Sequence, residues 1–447
     1  MPKLLRRLGA RDAALIVMGG IIGSGIFRNP SVVAKFAPDA VVIMAIWAIG
    51  GGIALLGGAI FAELAARRPH DGGLYAYMRD AFHPAVAFMY GWTLLLVSQS
   101  GGMAAAAVTF AGYVAPWIGT HLNEATLETV LALVAIGAFT LVNALGVRQG
   151  ANAQNAFMVV KIAAIAAFVA VGLFAPHAPV GASLSSSGFV GGNVIAAMGL
   201  AMVPVLFSYS GWQTSSFMTA ELKEPERTLP RGMIWGVVTV VVLYLAVNAV
   251  SLRALGVQNL AATNAPATAI AQLAFGKAGA WLMTVVVALS TLGFLSNQIL
   301  TSPRVYFQMA ADGTFFRQLA WVHPRTHVPV IAIVAQGTVA GIITLSGAYD
   351  QILNYVTTVD YIFFGLSAIA LIVFRNRDAR DPSAARPFYS IPGHPWSTGL
   401  FLVIAWGIVG DVLVKSPVPT LIGLSILASG LPVYWLFTRR RLQNDAA

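Results

Sequence analysis

The chain has 447 residues, of which 57% are hydrophobic and only 10% charged, and its formal net charge is +10. So little charge cannot cover the surface of a soluble chain of this length, and lipid is the expected solvent. The basic residues stand in short clusters between apolar runs, which excludes a nucleic-acid-binding protein, and the absence of cysteine excludes a disulfide, a thiolate metal site or a cysteine nucleophile.

A helix needs roughly 20 apolar residues to cross the hydrocarbon core. Such runs recur from one end of the chain to the other. They are too long for strands and lack the alternation of a membrane barrel, so backbone hydrogen bonding in lipid leaves helices. Expected spans are 12–35, 39–65, 84–115, 126–146, 154–174, 193–222, 231–252, 278–308, 329–346, 350–375, 397–415 and 418–438, about twelve in all. Lys3, Arg6 and Arg7 before an apolar run resemble a signal peptide. No small-residue cleavage site followed by a soluble chain appears, so the first run reads as a retained helix. The stretches 66–83 and 253–277 are mixed enough for short interfacial helices, and the Ser/Gly-rich 175–192 reads as an external loop.

Arginine and lysine gather on alternate connections, among them Arg67, Arg68, Arg79, Arg148, Lys223, Arg227, Arg375, Arg377 and Arg439–Arg441. The opposite loops carry few: Arg28, Lys35, Arg253, Lys277 and Lys415. This asymmetry predicts a multi-pass protein of the cell inner (plasma) membrane with both termini in the cytoplasm.

The first span contains Gly19-Gly20-Ile21-Ile22-Gly23-Ser24-Gly25-Ile26-Phe27. Closely spaced glycines lower helix stability by roughly 1 kcal/mol each relative to alanine. They predict either a break at 23–25 or, since Gly19 and Gly23 form GxxxG, a helix-packing face. The sixth span, long for one straight crossing, holds Pro204 and then Phe207-Ser208-Tyr209-Ser210-Gly211-Trp212, with a break expected at about 207–211. Two breaks five spans apart point to an inverted repeat with its site at the bilayer midplane. A restarting helix N-terminus attracts a carboxylate, and carbonyls freed at a helix stop accept from an ammonium. An α-amino acid zwitterion carries both groups. Gly23, Ser24 and Gly25 are expected to offer amides, and Ile21, Ile22 and Phe207 carbonyls.

Three further polar residues fall inside spans. Lys161 in the fifth is a candidate functional site, or a lysine that snorkels to the headgroups. Asp360 in the tenth is expected to bond neighbouring hydroxyls, carry a proton or line a side-chain pocket, with a satisfied structural carboxylate as the alternative. Tyr244 in the seventh is a site or a packing tyrosine. Phe207 and Trp212 are candidate aromatic gates over substrate, and Gln213 a candidate side-chain contact. Glu63 and Glu221 stand at helix ends beside basic loops and read as structural ion pairs.

Read together, these motifs carry a resemblance to the amino acid–polyamine–organocation transporter superfamily, and within it the L-type amino acid transporter group. Gly20-Ile21-Ile22-Gly23-Ser24-Gly25-Ile26-Phe27 resembles its first-helix signature. Ala62-Glu63-Leu64, Arg68-Pro69 and Gly72-Gly73-Leu74-Tyr75-Ala76-Tyr77 resemble its second helix and first cytoplasmic loop. Phe207 through Glu221, then Glu224-Pro225-Glu226-Arg227-Thr228-Leu229-Pro230, resemble its sixth helix and exit, and Arg386-Pro387-Phe388 the segment before helix eleven.

The resemblance implies an all-α membrane protein with a LeuT-like fold: a 5+5 inverted repeat plus two C-terminal helices. The transport core would occupy 1–375, with repeats 1–174 and 193–375, and 376–447 would hold a cytoplasmic linker and helices 11 and 12. It implies a sodium-independent transporter of neutral L-amino acids by alternating access, through exchange or with protons as coupling ion. Lys161 would take the place a sodium ion occupies elsewhere in the fold, donating near Gly20 and Ile21 or to Ser24, and Tyr244 matches a tyrosine placed near the site in bacterial relatives. A prokaryotic member is expected, since without cysteine no disulfide-linked heavy chain can attach. Asp360 supports the alternative of a cationic amino acid or polyamine carrier. An ion channel is disfavoured by the lack of a filter motif. No HExxH, Walker-type or G-x-S-x-G motif occurs, so no cofactor, metal or enzymatic activity is expected.

Overall fold

In the computed structural model the described residues are 6, 8–23, 25–37, 39–118, 122–174, 194–263, 265–346 and 349–445. Among them the only β pairing is an isolated bridge between Leu8 and Leu222, and helices make up the rest of the regular structure. Among the described residues nine helices are long and apolar enough to cross a membrane, and a pair bent by 43°, α1 (Ala10–Ile21) and α2 (Gly25–Phe36), makes ten if it is one broken span. The expected spans 329–346 and 193–222 fall short of that length. The first is a 16-residue helix (Val330–Leu345), and the second is broken after Tyr209. The expected loop 175–192 lies outside the described residues.

The elements follow in order: α3 (Ala40–Arg67), α4 (Leu74–Ala81), α5 (Pro84–Thr93), a π-helical turn (Leu94–Ser98) and α6 (Gln99–Val114). Next come α7 (Glu124–Ala144), α8 (Val147–Phe174), α9 (Val194–Tyr209) and a 3₁₀ segment (Trp212–Glu221). The chain continues through α10 (Pro225–Ala262), α11 (Pro266–Thr301), α12 (Pro303–Ala311), α13 (Val330–Leu345), α14 (Tyr349–Arg380), α15 (Trp396–Lys415) and α16 (Pro417–Asp445). The expected short helix in 66–83 is α4. That in 253–277 is present as helical ends of α10 and α11, joined to their spans across kinks at Gly256 and Gly276.

Local sequence explains the starts. Asp39 accepts the Val42 amide at 2.9 Å and Asn123 the Thr126 amide at 2.7 Å, each capping a helix whose first amides lack carbonyl partners. Proline opens α5, α10 and α11, where its missing N–H costs nothing. Small residues bring helices close: a Cβ on Gly232 of α10 would lie 2.5 Å from the Ala13 Cβ of α1. The outer pair α15 and α16 instead shows Val403, Val414, Val418 and Leu431 on its surface, as lipid-facing helices do.

Candidate functional site

The first helix stops at Ile21. Ile22 is extended (φ −74°, ψ 94°), its N–H still bonded to the Met18 carbonyl at 2.7 Å, and α2 restarts at Gly25. Ser24 lies outside the described residues. The freed carbonyls already have donors: the Tyr244 hydroxyl donates to Ile21 O at 3.1 Å and Lys161 Nζ to Ile22 O at 2.6 Å. Lys161 is 1% exposed, so it does not snorkel. It reaches Ile22, one residue beyond the expected Gly20 and Ile21. An orphan carbonyl at membrane depth is costly, so the chain supplies its own donors from α8 and α10. Ile21 and Ile22 therefore have one lone pair each already engaged, contrary to the expectation that they chiefly await an ammonium.

The second break, at Ser210–Gly211, falls at the end of the expected stretch of about 207–211. α9 runs through Phe207 and Ser208 to Tyr209, and Ser210 N still bonds Leu206 O (3.0 Å) and Phe207 O (3.2 Å). The chain turns at Gly211, whose φ of 122° suits glycine. A Cβ there would lie 2.1 Å from Gly20 O, so the two breaks touch backbone to backbone. The chain beyond is 3₁₀ rather than α-helical. On the near side, Pro204 O accepts from Asn29 Nδ2 (2.9 Å) and Ser208 Oγ (2.8 Å), and Asn29 also donates to Ser208 Oγ (2.7 Å). This polar trio ties α2 to α9.

Both breaks open on one cavity of about 50 Å³. Of the residues singled out from sequence, Ile21, Gly23, Gly25, Phe207, Ser208, Ser210, Gln213 and Asp360 line it. Ile22, Ile26, Trp212, Tyr244 and Lys161 do not. Ile22, Lys161 and Tyr244 support the break from behind, and Ile26 is core. Trp212 does not line the cavity: it is fully buried and packs on Phe364, ring centroids 4.8 Å apart, with Gly57 beside it. The packing alternative for the glycines coexists with the break. A Cβ on Gly19 would lie 2.1 Å from Gln154 Nε2, and one on Gly25 2.8 Å from Ser208 Oγ.

The other wall comes from α6, α11 and α14, where sequence reasoning named only Asp360. Gln99, Gln298 and Thr357 face the cavity, with Gly102, Ala105 and Phe294 between. Their signal was present as polar residues inside otherwise apolar runs, Ser98-Gln99-Ser100 and Asn297-Gln298. The π turn Leu94–Ser98 immediately precedes Gln99. Ser98 hydrogen-bonds the Asp360 carboxylate, and among the described residues no arginine or lysine forms an ion pair with it.

The two ends of the cavity differ. Toward the basic face, Glu63 is fully buried and accepts from Arg67 Nε (2.7 Å), Arg375 Nε (2.8 Å), Arg375 Nη2 (2.6 Å) and Ile391 N (2.7 Å). Asp378 joins Arg67 (2.6 Å) to Arg68 (2.5 Å), and Arg304 pairs with Glu221 at 3.0 Å. Leu8 N donates to Glu221 O at 3.0 Å and Lys223 N to Leu8 O at 2.9 Å, stitching the chain start to the end of the 3₁₀ segment. Beside this network His70 and Arg79 hold Asp80. Burial alone would raise its pKa, but their hydrogen bonds prevail and hold it at about 2. Toward the opposite face lies a larger cavity of about 590 Å³, walled by Arg28, Tyr113, Trp117 and Glu128. Ala105 and Ala106 line the small cavity and Val108 and Thr109 the large one, about one helical turn apart.

The family model of amino acid permeases matches residues 8–437. The chain is 29% identical to the serine/threonine exchanger SteT of Bacillus subtilis, covering 98% of both chains. It is 29% identical to the Asc-type amino acid transporter 1 of Mus musculus, over 97% of this chain and 81% of that one. It is 30% identical to the large neutral amino acids transporter small subunit 2 of Homo sapiens, over 97% of this chain and 80% of that one. The chain belongs to the amino acid permease family, within the superfamily its motifs resemble. Its members here are transporters and not enzymes.

Proposed function

We propose that this member of the amino acid permease family is a sodium-independent secondary transporter of neutral L-amino acids, working by alternating access through exchange or proton coupling. The observation that carries the reading is that two helix breaks, one between Ile21 and Gly25 and one at Ser210–Gly211, meet at one cavity. Amides of the α2 start would take the substrate carboxylate, and the free lone pairs of Ile21 O and neighbouring carbonyls its ammonium. The Lys161 amine on Ile22 O supports sodium independence, because a donor from the chain already occupies that carbonyl. The serine/threonine exchanger supports the exchange mode, and it and the large neutral amino acids transporter subunit support the substrate class.

By the positive-inside rule the basic face is the cytoplasmic one, with both termini there, in the plasma membrane. Helices one and six would head two inverted repeats, 1–174 and 193–375, and rock against the rest of the bundle. The structure then corresponds to a cycle member closed by ion pairs at the cytoplasmic end and approached from outside. Asp360 favours a second reading, a carrier of cationic amino acids, since its carboxylate lines the cavity. Uptake of labelled alanine, leucine and arginine into proteoliposomes tests the two. Saturable uptake of a neutral amino acid supports the first, and arginine-only uptake the second.

A further inference from the structure

Four residues that line the central cavity each carry a buried polar atom without a partner among the described residues: Gln99 Oε1, Gln213 Oε1, Gln298 Oε1 and Thr357 Oγ1. They come from four different elements, α6, the 3₁₀ segment, α11 and α14, and none of the four side chains is more than 5% exposed. Native interiors seldom leave such groups unpaired, because a buried donor or acceptor without its hydrogen bond loses its hydration for nothing. Three are carboxamides, which present an acceptor and a donor from one planar group and so suit a hydroxyl, itself both donor and acceptor. Between them stand Gly102, Ala105 and Ala106, which leave space, and the cavity of about 50 Å³ has room for a few water-sized groups. An apolar side chain placed there leaves the amides unpaired.

We infer that Gln99, Gln298 and Thr357, with Gln213 across from them, form a side-chain subsite that selects a short hydroxyl-bearing amino acid over its apolar isostere. The inference rests on the proposed amino acid site and adds to it which substrates the site prefers. Threonine and valine have the same branching and nearly the same volume, so their ratio isolates the hydroxyl. A site built to bond a hydroxyl rejects an analogue without it far more strongly than an apolar pocket rejects an added hydroxyl. Threonine is therefore expected to compete at a concentration on the order of tenfold or more below that of valine, the size set by at least one lost buried hydrogen bond.

The test is competition by L-threonine, L-valine, L-serine and L-alanine against uptake of labelled L-serine into proteoliposomes holding the full chain. Thermal stabilisation of the purified protein by each gives a second readout independent of transport. Expected are threonine well below valine, serine below alanine, and both gaps narrowed toward one by Gln298→Leu or Thr357→Val. A threonine-to-valine ratio near one in the unmodified protein, or valine preferred, overturns the subsite. Should the variants fail to insert, the unmodified protein's two ratios decide alone. If no neutral amino acid competes or stabilises, the central site reading itself falls. That outcome is distinct from neutral amino acids binding without preference for the hydroxyl.

Discussion

Lys161 on α8 holds the carbonyl of Ile22, 2.6 Å from its Nζ, at the point where α1 stops. The ammonium has three donors on a flexible stem, and its Cε and Nζ pass beside Gly293 of α11, where a Cβ would lie 2.7 Å from Cε. One side chain thus ties the broken helix to two others. Lys161→Met keeps the stem and removes the donors. A charged hydrogen bond is worth roughly 1.5–3 kcal/mol, so the rate of uptake is expected to fall on the order of tenfold to a hundredfold. Insertion, measured as protein extracted from the membrane fraction, is expected to be near that of the unmodified chain. Full activity in this variant contradicts a coupling role.

At Gly25 α2 lies directly against α9: a Cβ would lie 2.8 Å from Ser208 Oγ and 3.2 Å from its Cα. The hydroxyl can turn aside, but the backbone atom cannot. Overpacking of this kind costs about 1–3 kcal/mol. Gly25→Ala is expected to weaken substrate binding roughly tenfold, and Gly25→Leu to abolish it with the protein still inserted. Pairing Gly25→Ala with Ser208→Ala should restore only part of the affinity. Equilibrium binding by the purified variants decides it, and unchanged affinity in Gly25→Leu shows the carboxylate binding elsewhere.

How much of this was legible in the residues follows from what each feature depends on. Long apolar runs gave the spans, because hydropathy is a property of neighbours in sequence. The breaks showed in Gly23, Pro204 and Gly211, residues that interrupt helices wherever they stand. Their contact did not show, since Gly211 meets Gly20 only through the approach of distant segments. Glu63 read as an ion-pair member from its basic surroundings, yet its main partner Arg375 is 312 residues away. Gln99, Gln298 and Thr357 share a cavity only because α6, α11 and α14 converge. Trp212 read as a gate because aromatic residues at a break are suggestive, and only packing on Phe364 put it in the core.

Glu63 gathers donors from α3, α14 and the segment before α15, so it closes the basic end. Glu63→Gln removes the charge that Arg67 and Arg375 share. Breaking one member of a buried ionic cluster costs on the order of 3–5 kcal/mol. The expected result is a lowered melting temperature together with greater access from the cytoplasmic side. The chain has no native cysteine, so Ser215→Cys gives a single labelling site on the buried 3₁₀ segment. Faster labelling of Ser215→Cys in the Glu63→Gln background supports the seal, and equal labelling with equal stability contradicts it.

The carboxyl of Asp80, held at about 2 by His70 and Arg79 against the opposing effect of burial, gives a pH signature outside the membrane. A folded-state pKa below the unfolded value stabilises the fold above the unfolded pKa, near 3.9. That contribution is lost as pH falls from roughly 4 through about 2. Asp80 is partly exposed, so the effect is about 1 kcal/mol after allowing for screening. Asp80→Asn is expected to lower the melting temperature at pH 7 and to differ less from the unmodified chain at pH 3. A difference that grows on acidification contradicts the assignment.

The central claim is that amino acids cross at the two helix breaks without sodium, the Ile22 carbonyl being occupied by a donor from Lys161. Counterflow of labelled serine into proteoliposomes loaded with unlabelled serine, in sodium and in choline buffer, tests it most directly. Equal, saturable rates in the two buffers are the expected result. Uptake that requires sodium contradicts the account.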